Sequence, residues 1–296
     1  MTKQRQQYIG IALSLPALTG LLLFVLLPFL LAFALSLTNF RFGSPLNTDF
    51  VGLIQYGRIF QDQAFQHALL NNCIFALIVV PTQTLCALLL ALLLNLPLRG
   101  QKYFRTVLFM PVVFPLSLVS VVWIILYAPG PNGLVNHLFS LLSFGHWQNV
   151  DFLHHPFWAL AAIMLTSIWQ GTGFQMVILL AALQSIPQQL YEAARVDGAG
   201  TFSQFWHVTL PQLRTALVFV VLITTILSFR LFDQVQIMTQ GGPLNASTTI
   251  MYESVTAAFS KQQIASASAM TVVLFIIVLM ITLLQRRLAQ RYGSET

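Results

Sequence analysis

Charged residues are scarce in this sequence of 296 residues. Lys, Arg, Asp and Glu make up 7% of the chain, whereas apolar residues make up 57% and the mean hydropathy is +0.77. A typical soluble domain carries about 25% charged residues. A soluble fold of this length cannot bury so much apolar surface and still cover itself with polar groups. The composition therefore excludes soluble globular, disordered and coiled-coil classes and predicts an all-α polytopic membrane protein.

Cysteines and basic clusters are also rare. The two cysteines, Cys73 and Cys86, lie in one apolar segment. If this segment is helical, they are about 20 Å apart, which is too far for a disulfide. The net charge is +6, but the 14 Lys and Arg residues form no basic cluster with interleaved aromatics. This distribution argues against nucleic-acid binding.

The motifs of common catalytic sites are absent as well. The chain has no GxxxxGK[ST] phosphate loop, so it cannot bind ATP in the Walker manner, and it has no HExxH or GxSxG motif. His154 and His155 are adjacent, and adjacent residues do not share a helix face. We expect these histidines to be solvated rather than to bind a metal. The chain is therefore predicted to be a non-enzyme with no metal or cofactor of its own.

Long apolar windows are abundant. A membrane-spanning helix needs about 20 mostly apolar residues, and six windows have this length. They are residues 8–37, 67–96, 106–127, 157–183, 215–238 and 264–284. The first window is much longer than the apolar run of about 7–15 residues in a cleaved signal peptide, so we interpret it as a retained anchor. We predict one membrane domain over residues 1–296 with six transmembrane helices.

Lys and Arg are distributed unevenly over the segments between these windows. With six spans, both termini lie on one side of the membrane. That side has ten Lys and Arg residues, and the other side has three, namely Arg41, Arg58 and Lys261. Positively charged loops stay in the cytoplasm. We therefore predict that both termini and the loop 184–213 are cytoplasmic.

The loop 184–213 is amphipathic and is long for a cytoplasmic connection. Capping-box patterns at Ser185 and Thr201 predict two helix starts, and Gly198 predicts the end of the first helix. Pro211 is predicted to separate the second helix from the fifth span. The loop is either a docking element for another protein or an interfacial helix on lipid. Its first helix has two acidic residues and one Arg, which favours docking because an anionic leaflet attracts Lys and Arg.

This loop also resembles a known signature. Glu192-Ala-Ala-x-x-Asp197-Gly-Ala199, followed by Phe205 and Pro211, is similar to the EAA signature of permease subunits in binding-protein-dependent ABC importers. Other stretches resemble the carbohydrate-type, maltose-transporter-like branch of these permeases. They are Pro28 with Ser36-Leu-Thr-Asn-Phe40, Phe50-Val-Gly-Leu-x-x-Tyr56, and Gly241-Gly-Pro243 with Thr248 and Thr249. The resemblance extends over nearly the whole chain.

The resemblance implies a coupling function for the loop. In such importers the signature forms a coupling helix, which contacts a cytoplasmic ATPase subunit and transmits its closing motion to the spans. The corresponding residues of this chain are Glu192, Ala193, Ala194, Asp197, Gly198 and Ala199. The resemblance also implies a second permease subunit, usually a different chain, and two ATPase subunits that use ATP and Mg. It further implies an extracytoplasmic solute-binding protein and a location in the bacterial cytoplasmic membrane.

Two charged residues in the fifth predicted span are candidates for the substrate pathway. Arg230 and Asp233 have an i,i+3 spacing that allows a pair, with Phe229 and Phe232 as neighbours. Charged residues within a membrane usually face a cavity, where guanidinium, carboxylate and aromatic groups can bind a sugar. The alternative is that Arg230 snorkels to the outer surface. Weaker candidates in the fourth span are Trp169, Gln170 and Gln175.

The sequence therefore favours an ABC importer permease that works by alternating access. The alternative is an ion-coupled secondary transporter that uses Arg230 and Asp233. That alternative is disfavoured because the chain has one intramembrane acidic residue and no visible inverted repeat. The substrate itself is not specified, since a sugar, a polyol or a glycerophospho compound would suit the branch equally.

Overall fold

The computed structural model describes most of the chain, namely residues 13–45, 47–97, 99–130 and 133–291. Over these residues the regular structure is helical, apart from an isolated antiparallel bridge between Thr38 and Phe50. The helices are α1 Leu13–Ser36, α2 Ile54–Gln61, α3 Gln63–Asn95, α4 Gln101–Val113, α5 Leu116–Leu126, α6 Leu134–Leu142, α7 Pro156–Gln184, α8 Gln188–Val196, α9 Thr201–Phe229, α10 Ile250–Val255 and α11 Ile264–Arg291.

Five of these helices are each long and apolar enough to cross a membrane, and they are α1, α3, α7, α9 and α11. A sixth span results when α4 and α5 are taken together. The helices confirm the predicted all-α polytopic class; six spans were predicted, and the structure has five, or six when the bent pair is taken as one span. Residues 8–12 of the first predicted window lie outside the described residues.

The third predicted window, 106–127, is not one helix. It contains the end of α4 and all of α5, and the two helices are bent by 101° with respect to each other. The bend lies at Phe114 and Pro115, both of which have extended backbone with ψ of 140°. A proline disfavours helical dihedrals in the residue before it and has no N–H for the helix. Pro115 therefore ends α4 before it, although the apolar pattern continues across the bend.

The predicted helix end at Pro211 is wrong, because α9 runs without a break from Thr201 to Phe229. Residues Phe205–Thr209 form a π-helical turn, in which the Leu210 N–H donates to the Phe205 carbonyl five residues back. This wider turn directly precedes Pro211, which then lies in the first turn of the α-helical part. A proline is tolerated there because its missing N–H is not required.

The fifth span also ends earlier than predicted. The predicted window continued to residue 238, but α9 ends at Phe229, and the Arg230 N–H donates to the carbonyls of Ile226 and Leu227. Arg230 and Asp233 therefore lie beyond the helix rather than within it. A separate π-helical turn, Val235–Thr239, follows them.

The described residues divide into two compact units. The first contains the residues up to Phe65 together with Glu253–Phe275. Within it, the buried Gln55 side chain donates to the Thr38 carbonyl at 3.0 Å and accepts from the Ser266 hydroxyl at 3.1 Å. This amide therefore connects the chain after α1, helix α2 and the start of α11.

The second unit contains Gln66–Tyr252 and the described residues from Ile276 onward. It has two apolar cores, and α7 contributes to both. In the core near the start of α7, the buried Tyr127 hydroxyl donates to the Ala162 carbonyl at 3.0 Å. In the core near its end, Leu179 packs with Leu94 of α3 and Leu213 of α9. Helix α7 is therefore the common element of this unit.

The close approach of α4 to α7 depends on a glycine. A Cβ atom added to Gly173 would lie 2.2 Å from the carbonyl oxygen of Leu108. The atom it would meet belongs to the backbone of α4, so no side-chain rotation can relieve the clash. Small residues of this kind allow helices to pack closely in membranes.

We predict that Gly173→Ala destabilises the chain by about 1–3 kcal/mol, the usual cost of overpacking. The measurement is the midpoint of thermal unfolding of the purified chain in detergent. Gly20→Ala in α1 is the matched control, because a Cβ atom there meets no atom within 4 Å. The control midpoint is expected to stay the same or rise. Equal midpoints for both variants would show that α4 and α7 are not held together at Gly173.

Candidate functional site

The short helix α8 lies between α7 and α9 and contains most of the EAA-like sequence. Its N-cap is Pro187 rather than Ser185. The Ser185 hydroxyl instead donates to the Ala182 carbonyl at 2.8 Å, at the end of α7. The predicted capping box at Ser185 is therefore wrong, because this hydroxyl helps to end one helix and does not begin the next.

Gly198 ends α8 as predicted. Its φ of +80° is left-handed, which favours glycine. The Ala199 N–H donates to the Ala194 carbonyl at 2.8 Å, and the Gly198 N–H donates to the Arg195 carbonyl at 3.0 Å. These two bonds are those of a Schellman motif, which fixes the direction in which the chain leaves a helix.

The second predicted capping box, at Thr201, is also wrong. Gly200 is the N-cap of α9, and Thr201 is its first helical residue with no side-chain cap. The Gln204 amide donates instead to the Ala199 carbonyl at 2.8 Å. Gln204 therefore connects the first turn of α9 to the turn that follows α8.

The outer surface of α8 is accessible and carries both charged and apolar groups. Val196 is 88% exposed. The predicted coupling residues are exposed or half-buried, with Glu192, Ala193, Asp197 and Gly198 exposed and Ala194 and Ala199 half-buried. All six are thus within reach of another protein.

The opposite side of α8 is anchored on the helices that flank it. The half-buried Tyr191 hydroxyl forms a 3.0 Å hydrogen bond with the buried Thr209 hydroxyl of α9. Ile186, Tyr191 and Phe205 pack on the core that also contains Leu183 of α7. The loop is therefore attached to both α7 and α9.

A cavity of about 270 Å³ lies in the second unit, where α3, α7 and the end of α9 approach each other. It brings together four of the predicted pathway residues, Gln170, Arg230, Phe232 and Asp233. Arg230 and Asp233 are exposed, and no ion pair within 4.0 Å joins them in the described structure. The predicted i,i+3 pair is therefore not formed.

Two predicted pathway residues do not line this cavity. Trp169 is 48% exposed, and its ring makes an edge contact with Trp123 at 5.5 Å between centroids. Phe229 is 2% exposed and belongs to the packed interior. Both point away from the cavity because neighbouring positions on a helix face different directions.

A second cavity of about 300 Å³ shares part of its wall with the first. The shared residues are Gln83, Leu116, Gln170, Gly171, Thr224 and Leu227. No charged residue lines this second cavity. The polar groups along both cavities are therefore mainly amides and hydroxyls.

Two buried amide side chains in the walls of these cavities each have one end without a partner. Gln234 is 1% exposed; its Oε1 accepts from the Ser167 hydroxyl at 2.5 Å, and its Nε2 has no partner in the described structure. Gln175 is 2% exposed; its Nε2 donates to the Thr224 hydroxyl at 2.5 Å, and its Oε1 has no partner. Because Thr224 uses its own hydrogen on the Val220 carbonyl, it can only accept from Gln175. The walls of the cavities thus contain one unpaired donor and one unpaired acceptor.

Sequence reasoning missed several of these lining residues, namely Gln83, Ser167, Thr224, Ser228 and Gln234. The available signal was a polar residue inside an apolar window, as for Gln83 in the window 67–96. That signal does not say whether such a side chain faces a cavity or bonds to its own helix. Thr225, for example, donates to the Val221 carbonyl and lines neither cavity.

No group of three or more His, Cys, Asp or Glu side chains suited to a metal ion occurs in the part of the chain that the structure describes. His154 forms an exposed pair with Asp151 at 3.0 Å. His155 accepts a hydrogen bond from the Phe157 N–H at the start of α7. Both histidines thus have local partners.

Comparisons with known proteins identify relatives over nearly the full length. The family model described as "Binding-protein-dependent transport system inner membrane component" matches residues 67–294. The probable ABC transporter permease protein YurN of Bacillus subtilis is 35% identical over 277 residues, which are 92% of each chain. The trehalose/maltose transport system permease protein MalF of Thermococcus litoralis is 33% identical over 95% of this chain and 93% of its own length.

A solved structure shares the fold. In the bacterial alginate ABC transporter in complex with an alginate pentasaccharide-bound periplasmic protein, one chain superposes with a TM-score of 0.82. The superposition covers 97% of this chain and 96% of that one, at 22% sequence identity. These matches confirm the resemblance seen in the sequence. The chain therefore belongs to the family of inner membrane components of binding-protein-dependent transport systems, which are permease subunits of ABC importers.

Proposed function

We propose that this chain is one of two permease subunits of an ATP-driven importer that works by alternating access. In this proposal, separate ATPase subunits drive the motion through α8. The observation that carries it is the geometry of α8, an exposed helix that ends in a glycine turn and is anchored on both neighbouring spans. The coupling residues are Glu192, Ala193, Ala194, Asp197, Gly198 and Ala199.

A force applied to α8 reaches two spans. Tyr191 connects α8 to α9 through Thr209, and Ile186 connects its start to the core beside α7. The Schellman bonds at Gly198 keep the angle between α8 and the following chain constant. A displacement of α8 by an ATPase would therefore move the ends of α7 and α9 together, as alternating access requires.

The cavities support a substrate rich in hydroxyl groups, namely a sugar or a related polyol or glycerophospho compound. A hydroxyl group both donates and accepts, so it can satisfy Gln234 Nε2 and Gln175 Oε1 alike. Arg230 and Asp233 add one charge of each sign at the first cavity. The names of the Thermococcus relative and of the alginate transporter, which refer to sugars and a polysaccharide, agree with this class.

The proposed partners follow from the family and from the sequence. They are a second, different permease, two cytoplasmic ATPase subunits that use ATP and Mg, and an extracytoplasmic solute-binding protein. This chain has no phosphate loop, and in the proposal it contributes neither ATP hydrolysis nor a cofactor. Its location is the bacterial cytoplasmic membrane, with both termini and α8 in the cytoplasm.

The first prediction concerns the energy source. When the chain is extracted in mild detergent, an ATPase and a second permease are expected to co-purify with it. The reconstituted complex, with its binding protein present, is expected to take up trehalose, maltose or the ligand of that binding protein only when ATP is supplied. Uptake driven by an ion gradient without ATP would refute the proposal and favour a secondary transporter.

The second prediction concerns Gly198. Gly198→Ala adds a Cβ atom to a residue with a φ of +80°, which costs about 1–2 kcal/mol. The population of the native turn relative to other conformations therefore falls about 5–30-fold. We expect uptake per ATP hydrolysed to fall at least about fivefold in proteoliposomes. The control is Gly200→Ala, because Gly200 has φ −70° and open space around it. Equal coupling in both variants would contradict the proposed function of the turn.

The third prediction concerns the cavity amide of Gln234. Gln234→Leu removes the unpaired Nε2 donor and also the Oε1 atom that accepts from the Ser167 hydroxyl. The loss of one hydrogen bond costs about 1 kcal/mol. We expect the KM for substrate delivered by the binding protein to rise about fivefold. The control is Gln236→Leu, since Gln236 is exposed and does not line the cavity. An unchanged KM for Gln234→Leu would exclude Gln234 from the pathway.

A further inference from the structure

A groove on the surface of the second unit combines apolar walls with a cation at one end. Its volume is about 430 Å³, and it lies between α4 and α7. The apolar walls are formed by Phe109, Met110, Val113, Phe114 and Val177, and Arg105 lines one end. The groove does not share a lining residue with either cavity of the proposed substrate pathway.

The guanidinium of Arg105 is incompletely satisfied. Its Nε atom is buried and has no hydrogen-bond partner in the described structure. Arginine keeps its positive charge in proteins and has donors in a planar fork that matches a phosphate. A buried donor without a partner costs about 1–3 kcal/mol, and more when it is charged. The site thus lacks an acceptor, and a negatively charged acceptor fits it best.

No carboxylate among the described residues supplies that acceptor. Arg99, Lys102 and Arg105 follow one another at intervals of three residues, and residues 63–150 contain no Asp or Glu. None of the three forms an ion pair within 4.0 Å in the part of the chain that the structure describes. The end of the groove therefore has an excess of positive charge.

The groove has the dimensions of a lipid chain beside a helix. From Arg105 to Val113 it follows nine residues of α4, which is about 12 Å along the axis. Half of the hydrocarbon layer of a membrane is about 15 Å thick. Tyr103 is 80% exposed and lies near the cationic end, where aromatic side chains commonly meet lipid headgroups.

We propose that this groove binds one anionic phospholipid, whose phosphate pairs with Arg105 and Lys102 and whose acyl chain lies along Phe109, Val113 and Val177. An amphiphile with a single anionic end matches the arrangement, because the cations are at one end and the remaining walls are apolar. On the predicted topology, this end of α4 is cytoplasmic, and the cytoplasmic leaflet is where basic residues meet anionic lipids. The site does not depend on which solute the chain transports.

The test compares phosphatidylglycerol with phosphatidylcholine on the purified full-length chain, by native mass spectrometry at increasing lipid concentration. Each cation near a membrane surface contributes about 1 kcal/mol, which corresponds to about fivefold in affinity. We expect wild type to prefer phosphatidylglycerol, and Arg105→Gln and Lys102→Gln each to lower that preference about fivefold. Arg287→Gln is the control, because this exposed cation near the end of α11 does not line the groove, and it is expected to keep the preference.

Several outcomes would overturn the proposal. One is equal binding of both lipids to wild type, and another is an equal loss of preference in Arg287→Gln. Binding of sn-glycerol 3-phosphate, which has the anionic headgroup without acyl chains, as tightly as phosphatidylglycerol would show that the apolar walls of the groove have no part in binding. If the preference is seen for the isolated chain but disappears in the complete complex, the groove is a subunit interface and not a lipid site. Lys102→Gln keeps the test valid if Arg105→Gln fails to fold, since Lys102 is exposed.

Discussion

The hydrocarbon of a membrane offers no hydrogen bonds, and this constraint governs where polar side chains lie in the chain. Hydroxyl groups within the spans donate to carbonyls four residues back, as Thr224 does at 2.7 Å. Six buried polar side-chain atoms lack a partner in the described structure, and three of them belong to residues that line the two cavities or the groove. These three residues are Arg105, Gln175 and Gln234. Half of the unpaired polar atoms thus belong to the residues around which the proposals above place a ligand.

Helix α7 contributes residues to both cavities, to the groove and to the core under α8. Its first half packs around Tyr127, its middle contributes Gln170 and Gln175 to the cavities, and its end joins the core under α8. Val177 of the same helix forms one wall of the groove with α4. A motion of α8 that shifts the end of α7 would therefore reach cavity and groove together. This shared helix gives a physical basis for coupling an event at the cytoplasmic end to the shape of the cavity.

Features set by local chemistry were predictable from the sequence, and features set by packing between distant segments were not. The apolar windows predicted the spans, and Gly198 predicted a left-handed turn, because each depends on a few neighbouring residues. The bend between α4 and α5 follows from Pro115, but the apolar pattern across it gave the opposite signal. Pro211 lies inside α9 because a π-helical turn precedes it, and no residue pattern announces such a turn. The cavity amides come from different helices, so only the fold brings Gln175 to Thr224.

The cavities are lined by more amides than charged groups, and this lining affects how tightly they can bind a solute. A hydrogen bond between neutral groups contributes about 1 kcal/mol, whereas one to a charged group contributes about 1.5–3 kcal/mol. A permeation path must bind its solute strongly enough to admit it and weakly enough to release it. In the proposed function, amides such as Gln175 and Gln234 would meet both conditions for a solute with hydroxyl groups, because they bind without a fixed charge to neutralise. The two charged residues that line the first cavity, Arg230 and Asp233, do not pair with each other and are exposed, so water weakens their attraction for a solute.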